Sequence, residues 1–194
     1  GTRWVWALIG LAKARWPEQK VDLVHRLDKD TSGVLLLSKD PAANRDLKRD
    51  FRLDRPTKEY VAIVKGCPSW DELHIDAPIG RAERDIRVQM GVVPGGLPSR
   101  TSVTVIARKP EAGLSMVRCR LHTGRTHQIR VHLAHVGLPI LGDMLYGVPS
   151  SVFLDARERG ITDETWEVTG APRQALHAER IVFRHPLGHE LDVR

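Results

Sequence analysis

The chain has 194 residues, with 30 lysines and arginines against 24 aspartates and glutamates, a formal net charge of +6; that length suits one domain with a sizeable core. At 41% hydrophobic and 28% charged it is not a disordered chain, and its two cysteines, Cys67 and Cys119, build neither a disulfide scaffold nor a cysteine zinc site. No run nears the roughly 18 apolar residues of a membrane span, GTRWVWALIG is too short for a signal peptide, and the pI near 9.7 makes RNA or DNA the first partner to consider. A reducing, cytoplasmic setting and a monomer are expected.

In chain order, residues 4–15 predict a short helix closed off by Pro17. KVDLVHRLD begins with strand-like alternation and GVLLLSKD follows as a buried strand, with the turn-forming cluster DKDTSG between them. Asp40 and Pro41 read as an N-cap and first helical residue, opening a helix that buries Ala43, Leu47 and Phe51. EYVAIVKG is a strand ended by Gly66–Pro68, and residues 67–99 read as loop-rich. Strands resume at TSVTVIARK and LSMVRCRLH. Thr126 to about Val136 predicts a helix, with Thr126 as its cap and Gly137 as its terminator. A short apolar piece near Ala175 precedes brief strands in IVFRHP and LDV. The pattern is α+β, a mixed and largely antiparallel sheet with flanking helices, in a single domain over 1–194.

His25 to Gly33, HRLDKDTSG, crowds polar residues into a turn between two strand candidates, where a scaffold can hold a side chain rigidly yet reachable. The bland reading is a turn whose Asp30, Thr31 and Ser32 bond their own backbone. Asp28-Lys29-Asp30-Thr31 also fits the D-x-D-x-T nucleophile motif of haloacid dehalogenase-type phosphatases. That reading lacks the apolar strand before the first aspartate, and its only candidate for the later magnesium-holding acid is Gly142-Asp143.

The nonapeptide with the following GVLLLSKD more closely resembles the signature of the RluA-type pseudouridine synthases. Lys58-Glu59-Tyr60 looks like that family's K-x-Y strand; PIGR at 78–81 and the pattern from Gly95 to Thr101 are similar to its middle. LHTGRTHQIRVHLAHVGLPILGDMLYG at 121–147 resembles its longest signature, and RQALHAERIVFRHP at 173–186 its last. The resemblance runs from about residue 20 to 193 in the family's order. The strand that family members usually carry upstream of HRLD has no match here, so the expectation is of a chain truncated or divergent at its amino terminus.

The resemblance implies an enzyme that isomerises specific uridines of structured ribosomal or transfer RNA, with no cofactor and no metal. It assigns Asp28 as the catalytic aspartate, acting either at the uracil ring or at the sugar, with Arg130 as its ionic partner and Arg125 as the next candidate for that place. Tyr60 would pack on the uracil and help with the C5 proton, Leu176 would wall the pocket, and Arg26 would fill the space left by a flipped-out base. His25, Arg125, His127 and Gln128 complete the expected substrate-binding set. From Ala112 to Gly142 there is no acidic residue, while Arg118, Arg120, Arg125, Arg130 and four histidines lie in that stretch, a pattern suited to a phosphate backbone. His132 and His135 with Cys119 are not at zinc-helix spacing. The rival readings are a non-catalytic RNA-binding module of the same fold and the metal-dependent phosphatase.

Overall fold

A computed structural model describes residues 8–82 and 86–194. Its centre is one largely antiparallel sheet, whose strands turn successive residues to opposite faces, one of them packed against the core. Strand β4 (Thr57–Lys65) alternates half-buried and buried along all nine residues. It lies between β9 (Leu114–Leu121) and β10 (Leu176–Arg184); β8 (Arg100–Lys109) and β5 (Glu72–Asp76) extend the sheet beyond β9, and β11 (Glu190–Val193) flanks β10. Registers such as Tyr60 opposite Cys119 and Ala178 opposite Tyr60 fix which side chains share the inner face. The strand β2 (Ser32–Gly33) joins β10 in parallel, pairing Ser32 with His177 and Gly33 with Ala178. Two small ladders stand apart: β1 (Asp22–Leu23) with β3 (Leu37–Ser38), and β6 (Ile79–Arg81) with β7 (Met90–Val92).

Helix α3 (Gln128–His135) lies on the inner face and is buried almost all round, from Gln128 through Leu133. Ile129 and Leu133 join Tyr60, Ala62, Val64, Val117 and Leu176 in the main core, and Val131 turns the other way to meet Ile79, Leu145 and Tyr146. Helix α2 (Pro41–Arg52) closes a third cluster of Val24, Leu47, Ile181 and Phe183. Asp40 Oδ1 caps α2 by accepting from Ala43 N at 2.8 Å, an interaction worth about 1 kcal/mol. Helices α1 (Leu8–Arg15), α4 (Ser150–Arg159) and α5 (Asp163–Thr169) sit at the periphery.

The α+β class and the mixed, mostly antiparallel sheet are as expected, and several local expectations need correction. Only Asp22–Leu23 of KVDLVHRLD, and only Gly33 and Leu37–Ser38 of GVLLLSKD, are strand; the remainder is irregular chain on either side of the turn that carries Asp28. In α2 the buried residues are Asn44 and Leu47, with Ala43 and Phe51 half-buried, because Asn44 Nδ2 reaches the carbonyls of Asp22 and Leu23. Residues 67–99 hold three strands, β5, β6 and β7. Thr126 does not cap α3: the helix starts at Gln128, with His127 before it in the left-handed region at φ 56°. Gly137, at φ +78°, follows the helix end as expected. Residues 4–7 of the first predicted helix lie outside the described residues.

Candidate active site

Asp28 owes its position to a chain of short-range bonds. Thr31 N–H donates to the Asp28 carbonyl at 3.1 Å, closing a turn over Lys29 and Asp30. The turn is then fastened to β10 and the residues before it: Gln174 Nε2 donates to Thr31 Oγ1 at 2.6 Å, and Ser32 Oγ lies 2.9 Å from His177 Nδ1. Gly33, at φ +113°, passes so close to Ala178 that any Cβ would meet its backbone. Glycine is required there on both counts.

The carboxylate meets a guanidinium that arrives from α3, on the opposite side of the sequence. Arg130 Nη1 donates to Asp28 Oδ2 at 3.1 Å. Its other edge is held in a fork: Nε and Nη2 donate to the two oxygens of Asp143 at 2.7 and 2.9 Å. Asp143 is 2% exposed, and its Oδ1 also accepts from the backbone N–H groups of Leu145 and Tyr146. Burial opposes the charge on Arg130, but the hydrogen bonds and charges of Asp143 and Asp28 outweigh it and hold the arginine more firmly protonated than usual. A planar fork suits this double engagement, which an ammonium could not reproduce.

Asp28 and Arg130 line a cleft of about 800 Å³. Leu121, Ile129 and Leu176 supply apolar wall, and Tyr60 lies beside them. Burial, then the charge of Asp28, pushes the Tyr60 phenol up to about 12, so it presents a ring and a protonated hydroxyl at neutral pH. Arg26 is exposed at the cleft rim, and no ion pair to it occurs among the described residues. His25 stacks on Phe51 with ring centroids 4.7 Å apart and accepts from Leu36 N–H through Nε2; burial lowers it to about 4, so it is neutral. His127 sits 3.9 Å from Asp28 Oδ2. Arg125 also borders the cleft, with Nε bonded to Pro98 O and Nη2 3.7 Å from Asp54.

The expected residues thus line one cleft, with one difference of detail. Gln128 borders the cleft, but its amide is fully engaged within the protein: Oε1 accepts from Thr123 Oγ1 and Arg125 N, and Nε2 donates to Arg100 O and Thr101 Oγ1. It braces the loop at Gly124 and Arg125. Asp143, the one acid available to the phosphatase reading, is bound to Arg130. His132 Nδ1 is 2.9 Å from Thr101 Oγ1 and its Nε2 3.0 Å from Ala77 O, and among the described residues no three His, Cys, Asp or Glu side chains are grouped to hold a metal ion.

Asp143, the holder of Arg130, and Tyr146, whose ring lies 5.0 Å from the guanidinium, lie outside the expected set. So does the basic rim that α2 contributes, Arg45, Lys48 and Arg52. Their spacing of three and four residues is a signal available in the sequence, since it stacks them on one helical face.

The sequence profile described as RNA pseudouridylate synthase matches residues 13–135, and the chain belongs to that family. Its motifs and relatives place it in the RluA-type branch. It is 40% identical over 169 residues to a ribosomal large subunit pseudouridine synthase D of Nitrosomonas europaea, covering 86% of this chain and 45% of the relative. It is 34% identical over 180 residues to the chloroplastic RNA pseudouridine synthase 2 of Arabidopsis thaliana, covering 87% and 42%. The solved human RNA pseudouridylate synthase domain containing 1 superposes with a TM-score of 0.74 at 28% identity, covering 95% of this chain and 71% of that one. The chain spans about half the length of the curated relatives it matches.

Proposed function

We propose that the chain is the catalytic domain of an RNA pseudouridine synthase that isomerises uridines in structured RNA, ribosomal RNA first and transfer RNA second. The observation that carries this is the Asp28 carboxylate, held at 3.1 Å by an arginine whose other edge is locked by Asp143, in a cleft large enough for a nucleotide. Isomerisation breaks the N1–C1′ bond and forms C5–C1′; C5 gives up a proton and N1 gains one. No electron is transferred, so an ionised side chain and proton carriers suffice. Asp28 acts as the reacting carboxylate, Arg130 holds and aims it, and Tyr60 and Leu176 sandwich the base. Arg26 occupies the space that the base vacates on flipping. The exposed Arg45 and Arg52, with Lys48, extend a positive rim that suits phosphates, and the names of several relatives point to the large ribosomal subunit.

Release of tritium from C5-labelled uridine in ribosomal and transfer RNA transcripts tests the proposal. Asp28→Asn keeps the shape of the side chain and removes its charge, so release should vanish while RNA affinity stays within about threefold. Undiminished release by a folded Asp28→Asn variant would refute the assignment.

A further inference from the structure

Besides Arg130, Asp28 has His127 beside it, and the hydrogen bonds of that imidazole fix where its proton sits. His127 Nδ1 lies 2.8 Å from Tyr146 Oη, and the same oxygen accepts from Met90 N–H at 3.0 Å. A backbone N–H can only donate. Burial pushes the Tyr146 phenol up to about 12, so its hydroxyl keeps its proton at neutral pH. Among the described residues the one acceptor within reach of that proton is His127 Nδ1. A ring nitrogen that accepts carries no hydrogen, so the neutral imidazole bears its proton on Nε2.

Nε2 is 3.9 Å from Asp28 Oδ2, too far for a hydrogen bond, and no other partner for it occurs among the described residues. Four charged groups act on this ring: Arg130 and Arg26 disfavour its protonation, while Asp28 and Asp143 favour it. Burial decides the balance, with Arg130 adding to it, and His127 is held below its ordinary range. The left-handed backbone at φ 56° turns the side chain to this place, a conformation that a non-glycine residue holds only where its surroundings favour it.

We propose that His127 Nε2–H is an oriented, neutral hydrogen-bond donor to a carbonyl oxygen of the target uracil, and that Tyr146 is the positioning residue that sets its tautomer. The inference rests on the uridine-isomerising function above and adds a named role within that site. It holds for either action of Asp28. Cleavage of N1–C1′ leaves the bonding pair on uracil, spreading negative charge onto O2 and O4; addition of the carboxylate at C6 places the charge on O4. A preorganised donor gains strength as that charge develops. A neutral donor also leaves Asp28 Oδ2 without a competing ion pair on that side, where an imidazolium would draw it away from the substrate.

Two measurements test this. The first needs no substrate: nitrogen-15 spectra of histidine-labelled protein, with the His127 signals identified by their loss in His127→Gln. They should show a proton-bearing Nε2 and a bare Nδ1, and Tyr146→Phe should shift the ring toward a tautomer mixture. A protonated Nδ1 in the unsubstituted protein would overturn the proposal. The second is the single-turnover rate of tritium release at saturating enzyme. His127→Leu should slow it by about 10²–10³-fold, the usual effect of losing one such donor, with RNA affinity changed less than about threefold. His127→Gln, which keeps a side-chain N–H, should recover at least tenfold of that loss. Thermal melts of each variant separate a rate effect from misfolding. An active unsubstituted chain whose His127→Leu variant is equally fast overturns the donor alone. An unsubstituted chain that releases no tritium overturns the uridine-isomerising function and leaves the tautomer measurement standing.

Discussion

Asp143→Asn is the most informative substitution for the architecture of the site, because it alters one atom in a buried charge pair. Asp143 Oδ1 serves three donors, Arg130 Nη2, Leu145 N and Tyr146 N, and Oδ2 serves Arg130 Nε. An asparagine that keeps its oxygen at the first position turns its NH₂ toward Arg130 Nε, donor against donor; the reverse orientation faces three donors. Arg130, 7% exposed, then retains Asp28 as its only carboxylate among the described residues. Removing one member of a buried pair costs about 3–5 kcal/mol, and the surviving Asp28 contact puts the expectation at the lower end. With a urea slope of about 2 kcal/mol/M, the unfolding midpoint should fall by about 1.5 M at an unchanged slope, followed by tryptophan fluorescence. The single-turnover rate should fall as well, since the guanidinium is no longer held from behind. A midpoint shift under about 0.5 M would refute the view that Asp143 anchors Arg130.

Arg130→Met should lower the single-turnover rate far more than RNA affinity, because it disturbs Asp28; a uniform loss of affinity, with the salt slope reduced by about one unit, would mark a phosphate contact instead. Arg26→Ala should lose most activity on a structured stem-loop and less on RNA whose uridine is already unstacked, with Arg26→Lys rescuing poorly; equal losses on both substrates would rule out a flipping role. His25 contributes to acid sensitivity, since burial lowers it from 6.5 to about 4. Between those values the unfolded chain binds the extra proton, so stability is full above about pH 6.5 and falls by up to about 3 kcal/mol as the pH drops to 4. His25→Gln should flatten that slope in urea titrations across pH 4–7, and an unchanged slope would count against the assignment.

The parts of the fold legible in the sequence are those where one physical signal dominates. Thr57–Lys65 is legible as a strand because Tyr60–Val64 is an unbroken apolar run rich in β-branched and aromatic residues, and Asp40-Pro41 announces α2 because an N-cap and a proline at the first helical position act locally. Strands β5 to β7 escaped notice because glycines and prolines crowd their neighbourhood and β6 and β7 are three residues long. Helices α4 and α5 carry almost no buried side chain, so their sequences show no apolar stripe. Asp28, Arg130 and Tyr60 were found through motif resemblance, which physical periodicity alone would not have supplied. Asp143 belongs to a tight glycine-flanked loop, and its role depends on Arg130 reaching it in three dimensions.

The parallel pairing of Ser32 and Gly33 with His177 and Ala178 joins residues 145 positions apart. During synthesis, the turn bearing Asp28 leaves the ribosome before its docking partners Gln174, His177 and Ala178. Until they arrive, the carboxylate has neither the tether at Thr31 nor the strand neighbour that Gly33 approaches. Closing so distant a contact is entropically costly and slow. The turn at Asp28 therefore gains its full set of tethers only when the segment around residues 174–178 packs beside residues 31–33.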